Sequence, residues 1–133
     1  MTDAVSPEVQ ERPSRWSVIG WWELRRIPFN ISLAVAGMGS LIAIYSVSAP
    51  YIPAGEDFIE PVLLYALVGL YAIGANAGYT FGWISELVWS GGDPSRTRPF
   101  RARAYYLGLA GSIVLTLAPA FIAGIAWLFL AGA

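Results

Sequence analysis

Residues 61–85 read PVLLYALVGLYAIGANAGYTFGWIS, and none of them is charged. A helix rises 1.5 Å per residue, so this stretch alone would extend about 37 Å, more than the roughly 30 Å of a bilayer's hydrocarbon core. A helix of a soluble bundle would carry a polar stripe along one side. Two further uncharged blocks flank it, residues 27–49 and 104–133. Hydrophobic residues make up 56% of the chain and charged ones 13%, a balance far from that of a soluble domain. The expectation is an all-α, multi-pass membrane protein of three transmembrane helices.

Boundaries follow from the breakers. Residues 1–15 mix charges with prolines and read as a disordered cytoplasmic tail. Residues 16–26, WSVIGWWELRR, place three tryptophans beside two arginines and read as an interfacial amphipathic helix. Pro28 disfavours helical geometry at Ile27, so a break is expected there before a first span over 28–48. An outer loop follows at 49–57. The second span, with a cytoplasmic extension, covers 58–89, with Asp57 as N-cap, Glu60 three residues on, and Pro61 in the first turn. SGGDPS ends it, an arginine-rich loop fills 90–103, and the third span covers 104–131.

Orientation comes from the arginines. Arg12, Arg15, Arg25 and Arg26 precede the first span, and Arg96, Arg98, Arg101 and Arg103 lie between the second and third. The other loop has no basic residue and carries Glu56, Asp57 and Glu60. Short loops retained in the cytoplasm concentrate Arg and Lys, so the N-terminus is expected inside and the C-terminus outside. A cleaved signal peptide fits poorly, because the apolar run is too long and Pro50 follows the best cleavage site.

The chain has no Cys and no His. Thiolate nucleophiles, disulfides, imidazole acid–base chemistry and the usual zinc and haem ligand sets are therefore absent from the side-chain inventory. No phosphate loop is present, since SGGDPS lacks the lysine. A net charge of −1 gives no footprint for nucleic acid. No enzyme, metal site or cofactor is expected.

Gly74, Gly78 and Gly82 recur every four residues and share one helix face, where absent side chains allow another backbone to approach closely. This is expected to be a helix-packing seam or partner interface, internal or intermolecular. Ser32, Ala36 and Ser40 form a weaker row in the first span, and Gly108 with Ser112 does so in the third. Asn76 and Thr80 lie four apart on roughly the opposite face and are expected to be buried polar groups hydrogen-bonded across helices. Glu86 is expected in the inner headgroup layer, paired with an arginine. Arg25, Arg26, Arg96, Arg98, Arg101 and Arg103 set topology, and could also hold anionic lipid or an acidic partner.

The segment WWELRRIPFNIS resembles the opening of small uncharacterised bacterial inner-membrane proteins in which a Trp-Glu-x-Arg-Arg segment precedes an aromatic residue, Asn and the first span. The resemblance rests on Trp22, Glu23, Arg25, Arg26, Phe29 and Asn30, with Pro28 departing from the pattern. It implies a bacterial inner-membrane location and no particular activity. Minimal loops, no chemistry and small-residue seams point to a small accessory or assembly subunit of a larger membrane complex, such as a respiratory or photosynthetic one. The alternative is a homo-oligomeric pore or transporter-like protein; three helices alone enclose no lumen and contain no repeat.

Overall fold

The computed structural model describes residues 15–91 and 93–131. Helix α1 spans Arg15–Ser48, α2 spans Pro61–Ser90 and α3 spans Arg98–Ala131, with a short 3-10 turn at Ala49–Tyr51. All three helices are long and apolar enough to cross a membrane, and no strand occurs among the described residues. The tail expected over 1–15 lies, except for Arg15, outside them.

Helices α1 and α2 are antiparallel: Trp22 meets Glu86, Arg26 meets Thr80 and Asn30 meets Asn76, so numbers rise on one as they fall on the other. Helices α1 and α3 are parallel, with Arg25 against Tyr105 and Gly37 against Thr116. The α1–α3 approach is the most extensive in the molecule. Val18, Trp22, Phe29 and Leu33 follow one another at intervals of 4, 7 and 4 residues, which is one face of α1. Together with Tyr79 and Tyr105 they form the core, concentrated at the end where α1 and α3 begin and α2 finishes.

Three expectations need correction. No separate interfacial helix exists over 16–26, because α1 runs without interruption through Pro28. Proline frees a backbone carbonyl in a helix, but neighbouring side chains can hold the surrounding turns. Here the Tyr79 hydroxyl donates to the Trp22 carbonyl, Tyr105 donates to that of Arg25, and the Asn30 amide donates to that of Arg26. Among the tryptophans of this end, Trp22 is enclosed by the helices at 4% exposure, whereas Trp16 and Trp89 are 78% and 85% exposed.

The N-cap of α2 is Glu60, not Asp57. Its carboxylate accepts from the Leu63 amide at 2.8 Å, and Pro61 occupies the first helical position. At the other end Gly91 adopts φ 57°, a left-handed cap suited to glycine. The arginine-rich segment is also not a loop throughout, since Arg98, Arg101 and Arg103 belong to the first turns of α3.

Candidate functional site: a glycine-walled groove between two polar crossings

Glu86 ties all three helices together. Arg101 of α3 reaches its carboxylate through Nε at 2.7 and 3.0 Å and through an Nη at 2.7 Å. The Trp22 indole N–H donates to the other side at 2.6 Å, and the Thr97 hydroxyl donates at 2.9 Å. Both partners of the ion pair are buried, at 9% and 7% side-chain exposure. A two-pronged arginine–carboxylate contact fixes geometry as well as charge. Sequence foresaw an arginine partner for Glu86, and the left-handed cap at Gly91 with the turn that follows brings Arg101 back to supply it.

Around this pair the rings of Trp21, Trp22, Tyr79 and Tyr105 meet edge to face, at centroid separations from 5.3 to 6.5 Å. The guanidinium of Arg25 lies 3.8 Å from the Trp21 ring centre, and that of Arg101 lies 5.4 Å from it.

Asn76 and Thr80 face α1. The amides of Asn30 and Asn76 exchange hydrogen bonds of 3.2 and 2.9 Å, and Arg26 donates to the Thr80 hydroxyl at 3.0 Å while pairing with Glu23 at 2.9 Å. Both residues are half-buried, not fully enclosed. This polar seam fixes the register between α1 and α2. Replacing Asn76 with Leu is expected to lower stability by about 1 kcal/mol, the usual scale for a hydrogen bond between membrane helices. A double-mutant cycle with Asn30→Leu, read by unfolding in mixed micelles, checks this; zero coupling would show the amides to be independent.

A second polar crossing joins α2 to α3. The Tyr71 hydroxyl bonds the Thr116 hydroxyl and lies 3.4 Å from the Ser112 carbonyl. Between this contact and the Glu86–Arg101 pair, α2 and α3 stand apart and leave a groove of about 490 Å³. Gly74, Gly78 and Gly82 form one wall, Ala104, Gly108 and Ser112 form the other, and Trp22, Phe29, Tyr79 and Tyr105 contribute aromatic surface. The two walls are rows of small residues four apart, facing each other without touching. A Cβ placed on Gly74, Gly78 or Gly108 would meet no atom within 4 Å.

Gly82 differs, since its Cβ would lie 3.7 Å from the Trp22 ring. Alanine fits there, whereas Gly82→Ile must push the ring off the Glu86 carboxylate. The expected cost is about 1–3 kcal/mol, as for overpacking elsewhere, measured as loss of folded chain in detergent. An unchanged yield would mean that the ring yields freely.

The remaining sequence candidates are dispersed. Ser40 is buried, and Ser32 and Ala36 are half-buried, on the face of α1 that includes Gly37, whose added Cβ would lie 3.8 Å from the Thr116 methyl. The six arginines are not one open patch: Arg101 is enclosed, Arg26 is shared between Glu23 and Thr80, and Arg96 makes an exposed 3.7 Å pair with Asp93. Arg98 and Arg103 are exposed. Tyr71, Tyr79 and Tyr105 were not anticipated. Their only sequence signal is position: Tyr79 follows Gly78 and lies opposite Trp22 once the register of α1 and α2 is known. Among the described residues no cluster of carboxylates with metal-ligand geometry occurs. No family model, no curated protein and no solved structure matches this chain, so the reading of the groove rests on its own geometry.

Proposed function

We propose that this protein is a non-catalytic accessory or assembly subunit of a larger bacterial membrane complex, and that it docks through the glycine-walled groove. The observation that carries this reading is the open space over the seam: a Cβ built on Gly74 or Gly78 would meet no atom of α1 or α3 within 4 Å. Glycine weakens a helix relative to alanine by about 1 kcal/mol. Small residues at helical spacing are typical of membrane interfaces, where association depends on close packing instead of hydrophobic exclusion. Glu86 is matched to Arg101 and Asn30 to Asn76 across the helices, which suits a scaffold held in one geometry.

In the inner membrane the arginine-bearing end faces the cytoplasm and the acidic 52–60 turn faces outward. Reporter fusions test this: a periplasmic reporter at residue 54 is expected to be active and one at residue 95 inactive, and the reverse pattern overturns the orientation. The subunit role is tested by recovering a tagged, natively expressed copy after mild extraction. Other membrane polypeptides are expected in fixed proportion; a chain recovered alone contradicts the role.

A further inference from the structure

The side of α3 that meets α1 carries positive charge that the described residues do not neutralise. Arg98, Arg101 and Tyr105 follow one another at three and four residues and so share one side of α3. Tyr105 and Arg101 both meet Trp21 of α1, at 6.0 Å between ring centres and 5.4 Å from guanidinium to ring. Arg25 lies one turn beyond Trp21 and folds back over it. Its guanidinium is 3.8 Å from the ring centre, and an Nη donates to the Trp21 carbonyl at 3.5 Å. One indole therefore carries two arginines, one from each helix, and Arg98 stands about one turn nearer the start of α3.

Their counter-charges differ. Glu86 neutralises Arg101 in the interior. Among the described residues, carboxylates lie within 4.0 Å of Arg26, Arg96 and Arg101 only, which leaves Arg25 and Arg98 without one. Arg98 is exposed, but Arg25 is half-buried and held by the ring and the carbonyl, where a cation is costly without an anion beside it.

Depth says which anion is at hand. The uncharged block of α1 begins at residue 27 and that of α3 at residue 104. Arg25 thus lies at the edge of the hydrocarbon, and Arg98 about 9 Å further out along α3. Exposed Trp16 and Trp89 mark the same end as interfacial. This is the level of lipid phosphates, whose oxygens the paired N–H donors of a guanidinium fit.

We propose that the junction of α1 and α3 binds the phosphate of one anionic phospholipid between Arg25 and Arg98, with Trp21 as the platform that aims Arg25. A zwitterionic ethanolamine lipid brings the same phosphate with an ammonium beside the arginines, so a headgroup of net negative charge is selected. The site is separate from the glycine-walled groove and does not depend on the accessory-subunit reading.

The full chain, purified in mild detergent and stripped of lipid, is titrated with phosphatidylglycerol or with phosphatidylethanolamine of the same acyl chains. Native mass spectrometry reads the first lipid bound. Phosphatidylglycerol is expected to bind at least roughly tenfold more tightly, and Arg25→Gln and Arg98→Gln should each weaken it about fivefold, the effect of one arginine near a lipid surface. Arg25→Lys keeps the charge but loses the paired donors, and should fall between the native chain and Arg25→Gln. Arg103 lies two residues before Tyr105, on the far side of α3, so Arg103→Gln should leave the affinity unchanged. Arg98 is exposed, so Arg98→Gln keeps the test decisive even if Arg25→Gln fails to fold.

Equal affinity for the two lipids overturns the proposal and leaves an acidic protein segment as the counter-charge of Arg25. Equal losses in Arg98→Gln and Arg103→Gln overturn it by reducing the effect to the overall charge of that end. Displacement of phosphatidylglycerol by inorganic phosphate at equal concentration overturns it in favour of a soluble anion.

Discussion

Truncating Glu86 to Ala is expected to destabilise the three-helix assembly by about 3–5 kcal/mol, the range found when one partner of a buried ion pair is removed. Arg101 would be left enclosed with no carboxylate, and Trp22 and Thr97 would each lose an acceptor. Arg101→Ala leaves the opposite charge stranded and should cost a similar amount. The two losses should not add. Once one charge is gone, removing the other relieves an unpaired group, so the double variant should fall well short of the sum. Unfolding in mixed micelles, followed by tryptophan fluorescence, reads all four corners of the cycle. Single variants each costing under about 1 kcal/mol would show that water reaches the pair and screens it.

The second large effect is expected to appear in assembly and not in folding. Gly78→Ile adds a side chain to a position where no atom of the chain lies within 4 Å of the new Cβ, so folded monomer should be recovered at the ordinary level. The added side chain occupies the groove that a partner helix would enter. Recovery with partner polypeptides should fall at least tenfold, a loss of about 1.4 kcal/mol or more in association. The contrast with Gly82→Ile is informative, because that residue lies one turn away on the same face and touches Trp22. Equal loss of folded monomer in the two variants would mean that the groove closes on itself in the membrane.

Much of the fold could be read from the sequence because hydrocarbon imposes a simple rule. Residues 61–85 contain no charge over a length that spans a bilayer, and helix α2 covers them all. What misled was local chemistry overruled by tertiary contacts. Pro28 disfavours helical geometry at Ile27, yet α1 runs through it, with Tyr79 and Tyr105 of the neighbouring helices donating to the Trp22 and Arg25 carbonyls of the turn before it. Charged residues mark where the hydrocarbon stops, not where a helix starts, which is why the arginines from Arg98 to Arg103 belong to α3.

The candidate site divides the same way. Gly74, Gly78 and Gly82 are conspicuous by spacing, and Asn76 with Thr80 by polarity. Spacing does not determine which neighbour a face meets. That depends on how far apart the Glu86–Arg101 and Tyr71–Thr116 contacts hold α2 and α3, and each is a long-range pairing set by the turns between the helices. Trp22 shows the limit most clearly. Its position beside Trp21 and two nearby arginines is that of an interfacial anchor, while its indole serves Glu86 across 64 residues of sequence.

The most direct test of the subunit reading is the native mass of the particle released from membranes by mild detergent. A mass made up of other polypeptides plus one or a few 14.4 kDa copies of this chain is the predicted result. Integer multiples of 14.4 kDa with nothing else bound would contradict it and turn attention to a homo-oligomeric pore.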